Sequence, residues 1–164
     1  MPTNTFELIG TTVVSGSSTT SIVFSGLGSY TNVIFVGRMQ PNATTTQMNV
    51  NLGGTQIFAN MYATSTNGNN VPITARYTGA GSCDLTINGV TSSSSAAVIK
   101  AHLVKQGTNR GYFLAEVGFQ EDASNMEFVV SNAFTPNNVT SITLGFFGQV
   151  IKAGSTLSAY GVMI

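Results

Sequence analysis

Three features of the chain predict an all-β protein, an antiparallel β-sandwich or barrel. Apolar residues recur with the two-residue period of a strand, as at Met48, Val50 and Leu52 or Phe113, Ala115, Val117 and Phe119, and never with a sustained helical period. The runs are rich in β-branched and aromatic residues, which pack well on a pleated surface. Gly, Ser, Asn and Pro clusters interrupt them at roughly 8–15-residue intervals, which gives about ten or eleven short strands joined by turns. Neither an internal repeat nor a linker divides the sequence, so residues 1–164 read as one sandwich domain with a short extended N-terminal segment.

In chain order, residues 5–14 alternate as Phe6, Leu8 and Gly10 against Glu7, Ile9 and Thr11, a strand. Turn residues 15–18 lead to a short strand over 20–25 carrying Ile22 and Phe24, and 26–29 break it. A third strand spans 32–38, with Val33 and Phe35 on one face and Ile34 and Val36 on the other. Residues 45–52 form the next, and Gly53 with Gly54 predicts a tight hairpin, since adjacent glycines supply positive φ angles. Its return strand is 56–63, followed by an Asn- and Gly-rich turn at 66–70 and short strands at 72–78 and 82–88. Strands at 97–105 and 111–119 form a hairpin, 126–130 is short, and 139–147 follows the turn at 136–138.

The last stretch, 156–164, is apolar at both parities: Leu157, Ala159 and Met163 against Tyr160, Val162 and Ile164. Strands covered on both faces read as near-continuous apolar runs. The stretch is therefore expected to be locked between neighbouring strands and covered on both sides.

Only 7% of the residues are charged, against about 25% in an ordinary soluble domain. Six Lys and Arg balance six Asp and Glu, which excludes a protein that tracks nucleic-acid phosphates, because that needs clustered cations. Low charge also leaves little repulsion between copies, so the chain is expected to work packed against itself or a larger body. A hydrophobic content of 42% argues against disorder. The single Cys83 rules out an internal disulfide framework. No secretory signal is visible, and no 18-residue apolar span exists for a membrane helix.

The inventory for chemistry is thin. His102 is the only histidine and shares a strand face with Lys100, without the partners that a triad or metal site requires. Six carboxylates are a poor stock for glycoside hydrolysis, and Glu121–Asp122 lacks the ligand spacing of a calcium loop. Glu116 is expected to face Lys100 or His102 across the hairpin. The Gly-rich run 79–82 lacks the Lys and helix of a nucleotide loop and reads as a turn. The two Asn-X-Thr triplets at Asn42 and Asn138 are taken as chance matches, since no signal peptide accompanies them. Catalytic, cofactor and metal residues are accordingly assigned to none.

Two segments carry a family resemblance. Phe6-Glu-Leu-Ile-Gly-Thr-Thr-Val-Val, running through Thr20-Ser-Ile-Val-Phe-Ser-Gly-Leu to Tyr30-Thr-Asn-Val-Ile-Phe-Val-Gly-Arg38, is the first. Thr140-Ser-Ile-Thr-Leu with Gly154-Ser-Thr-Leu-Ser-Ala-Tyr-Gly-Val162 is the second. Together they resemble small virion structural proteins of tailed bacteriophages. The resemblance implies a jelly-roll-like β-sandwich whose first and last strands are neighbours, and a role as a particle component. The leading expectation is a capsid decoration (cement) protein that binds the outer capsid surface as a homotrimer. Its partners would be the major capsid protein and itself, with no nucleic acid and no membrane. Such a protein is made in the host cytoplasm and ends on the virion surface. The alternative is a fibre-tip or host-receptor module, for which a glycan is the partner. Contact residues are expected at the N-terminal segment with Met1 and Pro2, at the aromatics Tyr30, Tyr62, Tyr77 and Tyr112, and at His102.

Overall fold

Twelve strands form among the described residues, and every pairing between them is antiparallel. The computed structural model describes residues 6–42, 46–53, 57–65, 73–80, 82–86, 96–106, 110–120, 126–135 and 139–163, some of them as backbone only. The strands are β1 (Phe6–Val13), β2 (Ser21–Phe24), β3 (Tyr30–Met39), β4 (Met48–Asn51), β5 (Ile57–Ser65) and β6 (Ile73–Ala80). They continue with β7 (Ser82–Asp84), β8 (Ala97–Gln106), β9 (Arg110–Gln120), β10 (Met126–Thr135), β11 (Ile142–Phe146) and β12 (Thr156–Met163). A 3-10 turn, Leu27–Ser29, precedes β3 and buries Leu27.

A wide sheet runs β1-β12-β3-β8-β9-β10-β5-β6, and a narrow one β2-β11-β4-β7. Setting aside β5–β6 and β9–β10, which only widen the first sheet, eight strands remain. They alternate between the orders β1-β12-β3-β8 and β2-β11-β4-β7. That is a jelly roll, two Greek keys folded into a double sheet. The first and last strands are paired as the resemblance implies, with Leu8 opposite Tyr160 and Val13 opposite Thr156. β12 is held between β1 and β3.

Hydrophobic burial fixes the register. Val33, Phe35 and Met39 of β3, Ile99, Ala101 and Leu103 of β8, and Phe113, Ala115 and Val117 of β9 point into the core. Ile22, Phe24, Met48, Val50, Ile142 and Leu144 meet them from the narrow sheet. The Phe24 and Phe35 rings join the two layers, with centroids 5.7 Å apart and planes tilted by 51°. A one-residue slip in any of these strands would carry its apolar row out of the core, so pairing and burial specify each other.

Several local expectations are corrected. β4 and β5 are not a hairpin: β4 pairs with β11 and β7, whereas β5 pairs with β10 and β6. Gly53 does adopt a positive φ of 64°, but it lies in a turn two residues past the end of β4, a strand of the narrow sheet. β10 runs for ten residues instead of five. β1 breaks its alternation at a bulge between Leu8 and Gly10, which turns Gly10 toward Phe24 on the core side and leaves Thr11 and Val13 facing out with Ser158 and Thr156. β12 is covered on one face only within the chain, since Leu157, Ala159 and Gly161 are buried while Tyr160 is exposed.

Candidate interaction surface

The outer faces of the two sheets differ in chemistry. On the narrow sheet, Asn49 lies opposite Asp84 and Gly145, Asn51 opposite Thr143, and Val23 opposite Thr143. Apart from Val23 this is the polar face expected of a solvated sheet. On the wide sheet, one cross-strand row reads Leu8, Tyr160, Ile34, His102, Leu114 from β1 to β9. The adjacent rows add Phe6, Val36, Tyr112 and, at one end, Val98, with Phe128 across from Gly118. Nine of the eleven exposed large hydrophobics among the described residues lie on this face, so apolar exposure is concentrated rather than scattered. Val98 is 62% exposed and Leu8 57%, which makes them open to a partner rather than tucked between strands. Apolar exposure gathered on one face is a feature of interaction sites.

Polar groups cross the face as well: Thr11, Ser158, Lys100 and Glu116 share the row of Val36, and Asn32, Thr156, His102 and Arg38 lie in the other rows. Lys100 Nζ lies 3.7 Å from Glu116 Oε2, the cross-hairpin contact expected from sequence. Both side chains are well solvated, so the pair contributes at most about 1 kcal/mol. Thr11 and Ser158 hydroxyls hydrogen-bond at 2.8 Å toward the β1 edge. Arg38 stands at the end of the face, opposite Thr156 and Val98. His102 is half-buried between Ile34 and Leu114, on the same side as Lys100, as the strand period predicts.

The expected contact residues fare unevenly. Tyr112 is exposed on this face, between Val104 of β8 and the backbone of Phe134 on β10. Tyr30 is not a free contact aromatic. Its ring fills the space left by Gly161, where a β-carbon would collide with it, and its hydroxyl donates to Glu7 Oε1 at 2.6 Å. That hydrogen bond, then burial and the carboxylate's charge, raise the Tyr30 pKa above its ordinary value. Tyr62 and Tyr77 lie on β5 and β6, opposite Val130 and Ala59 in the backbone ladder, and their side chains fall outside the described residues. Met1 and Pro2 lie outside them as well, as does the pair Glu121–Asp122. Phe6, Leu8, Val36, Val98, Leu114 and Phe128 were not singled out from sequence. Val36 carries a signal, since 32–38 is apolar on both faces, whereas Phe6 and Leu8 sit in a strand that alternates and turn outward only in the folded chain.

Beside the face, an open cleft of about 320 Å³ is lined by Arg38, Gln40, Ala96, Ala153, Gly154 and Ser155. Its floor is rigid: the Gln40 backbone N–H donates to Ser155 Oγ at 3.1 Å, and Lys152 N–H to the Gln40 carbonyl at 2.8 Å. On the opposite edge Lys105 Nζ donates to the Leu27 carbonyl at 2.5 Å, and burial lowers the lysine pKa. Among the described residues no three His, Cys, Asp or Glu side chains gather as a metal site. No described helix is long and apolar enough to cross a membrane. No protein-family model matches the chain and no curated protein is similar to it in sequence, which leaves the chemistry of this surface as the guide to what the protein does.

Proposed function

We propose that this chain is a bacteriophage virion structural protein, a capsid decoration (cement) protein that binds and stabilises the outer capsid surface as a homo-oligomer. The carrying observation is the wide, weakly charged apolar face on a jelly-roll scaffold, a surface suited to adhesion and poorly suited to acid–base chemistry. The homotrimer is the working symmetry, the major capsid protein is the lattice partner, and neither nucleic acid nor a membrane takes part. Many weak contacts repeated over a particle gain strength through avidity. The test is to add purified chain to capsids that lack it and count bound copies by cryo-EM. Regular occupancy on the shell, with raised resistance of the capsid to heat, is the expected result; binding confined to tail or fibre overturns it.

A second reading, a fibre-tip or receptor-binding module, is favoured by the cleft at Arg38. Its volume reaches the lower end of small-ligand sites, and one guanidinium with a fixed serine hydroxyl suits a carboxylate-bearing sugar. Retention on host surface polysaccharide that Arg38→Ala abolishes would select this reading over the first.

A further inference from the structure

We infer that the outer face of the wide sheet is where copies of this chain meet one another. The inference rests on the adhesive reading above and names the first partner of that same surface. Three observations select a second copy. The first is size. Six of its eight strands, from β1 across to β10, spaced about 4.8 Å apart and each presenting about four outward residues at roughly 7 Å intervals, give a face of about 25 by 25 Å. That is roughly 600 Å² in projection, before side-chain relief; a threefold ring divides it between two neighbours, about 300 Å² each, so the closed ring rather than a single contact reaches the roughly 600–1,000 Å² per partner of a stable interface.

The second is charge. Lys100 and Glu116 pair within one copy and leave the face little net charge, so two copies meet without strong repulsion. A second copy also brings a Lys100 and a Glu116 of its own, so each copy can answer the other's charges. The third is layout. Closed threefold assembly needs two different patches on every subunit. The face supplies them at opposite ends of its rows: Phe6 and Leu8 on the β1 edge, Val98 and Leu114 on the β8–β9 hairpin. The narrow sheet, polar outside, offers no such surface.

Light scattering after size exclusion of the full-length protein, with no capsid present, tests this directly. The wild type is expected at a multiple of 17.1 kDa through the low micromolar range. Leu114→Lys and Val98→Lys are expected to shift it to the monomer with an unchanged circular dichroism spectrum. Val23→Lys and Phe147→Lys, on exposed hydrophobics away from this face, leave the oligomer intact. Should the lysine variants misfold, hydroxyl-radical footprinting of the wild type decides: Leu8, Leu114 and Phe128 become protected on concentration and Phe147 does not. A wild type that stays monomeric at high micromolar concentration overturns the inference, and so does an oligomer that survives both face variants. An intact oligomer that fails to bind capsids sinks the decoration reading alone, and monomers that decorate capsids sink this inference alone.

Discussion

Placing the same residue at two neighbouring positions tests the face assignment of β8. Val98 and Ile99 are consecutive, yet Ile99 is fully buried and Val98 is 62% exposed. Ile99→Thr removes apolar volume beneath the narrow sheet and introduces a hydroxyl there. The lost burial costs about 1.5–3 kcal/mol, and an unpartnered buried hydroxyl adds about 1–3 kcal/mol. The sum is about 2.5–6 kcal/mol, a large part of the roughly 5–15 kcal/mol that stabilises a domain of this size. Val98→Thr keeps the β-branched shape and meets water, so it stays within about 0.5 kcal/mol. Urea unfolding at a concentration low enough to keep the chain monomeric reads both values from the shift in midpoint. Under the inference that copies meet on this face, the second substitution becomes costly on assembly, because the hydroxyl is then covered, and easier dissociation on dilution is the expected readout. Equal destabilisation of the monomer by the two variants would refute the register, since a one-residue slip exchanges the faces.

Two further outcomes follow from close contacts. A β-carbon at Gly37 would overlap the Thr156 carbonyl oxygen and the Leu157 Cα at 2.8 Å, both backbone atoms of β12, so Gly37→Ala must part β3 from β12. A loss of about 2 kcal/mol or more is expected, together with faster amide exchange along β12, measured by hydrogen exchange. Tyr30, with its pKa raised in the folded chain, holds its proton longer than the unfolded chain does. Its contribution to stability is therefore complete below the ordinary tyrosine range and is lost as pH rises through the raised value. Phenolate absorbance of the wild type minus that of Tyr30→Phe should show this late titration, and Glu7→Ala should bring it back toward the ordinary value.

What the sequence revealed was local, and what it hid was set by distant partners. The alternation in 97–105 and 111–119 was enough to set Ile99, Ala101 and Leu103 on the face away from His102 and to bring Glu116 near Lys100 or His102; the register, which selects Lys100, depends on the pairing itself. The turn at Gly53 was legible as a turn, but turn chemistry says only that the chain changes direction. Whether the next strand pairs with the last depends on which surface buries it, and β5 pairs with β10 in the other sheet. Tyr30 looked like a contact aromatic because nothing near it in sequence announces the vacancy at Gly161. The bulge at Leu8 and Gly10 was likewise invisible, since an extra residue in one strand shows only against its partner.

The exposed apolar face was half-legible for a deeper reason. A strand apolar at both parities is expected to be covered twice, and in the folded chain one of those covers is missing. Composition alone does not explain this, because the same chain sets Asn49, Asn51, Thr143 and Asp84 on the outside of its narrow sheet. Polar residues are thus available and are used where a sheet meets water. On the wide sheet polar residues such as Thr11, Ser158, Lys100 and Glu116 share the outer face with Leu8, Val36, Val98 and Leu114, which stay open in a molecule of zero net charge, a combination that favours association over solubility. On the adhesive reading proposed above, the second cover that those strands call for comes from outside the chain: the inner side of the jelly roll stabilises the fold, and the outer side is the one we propose for assembly.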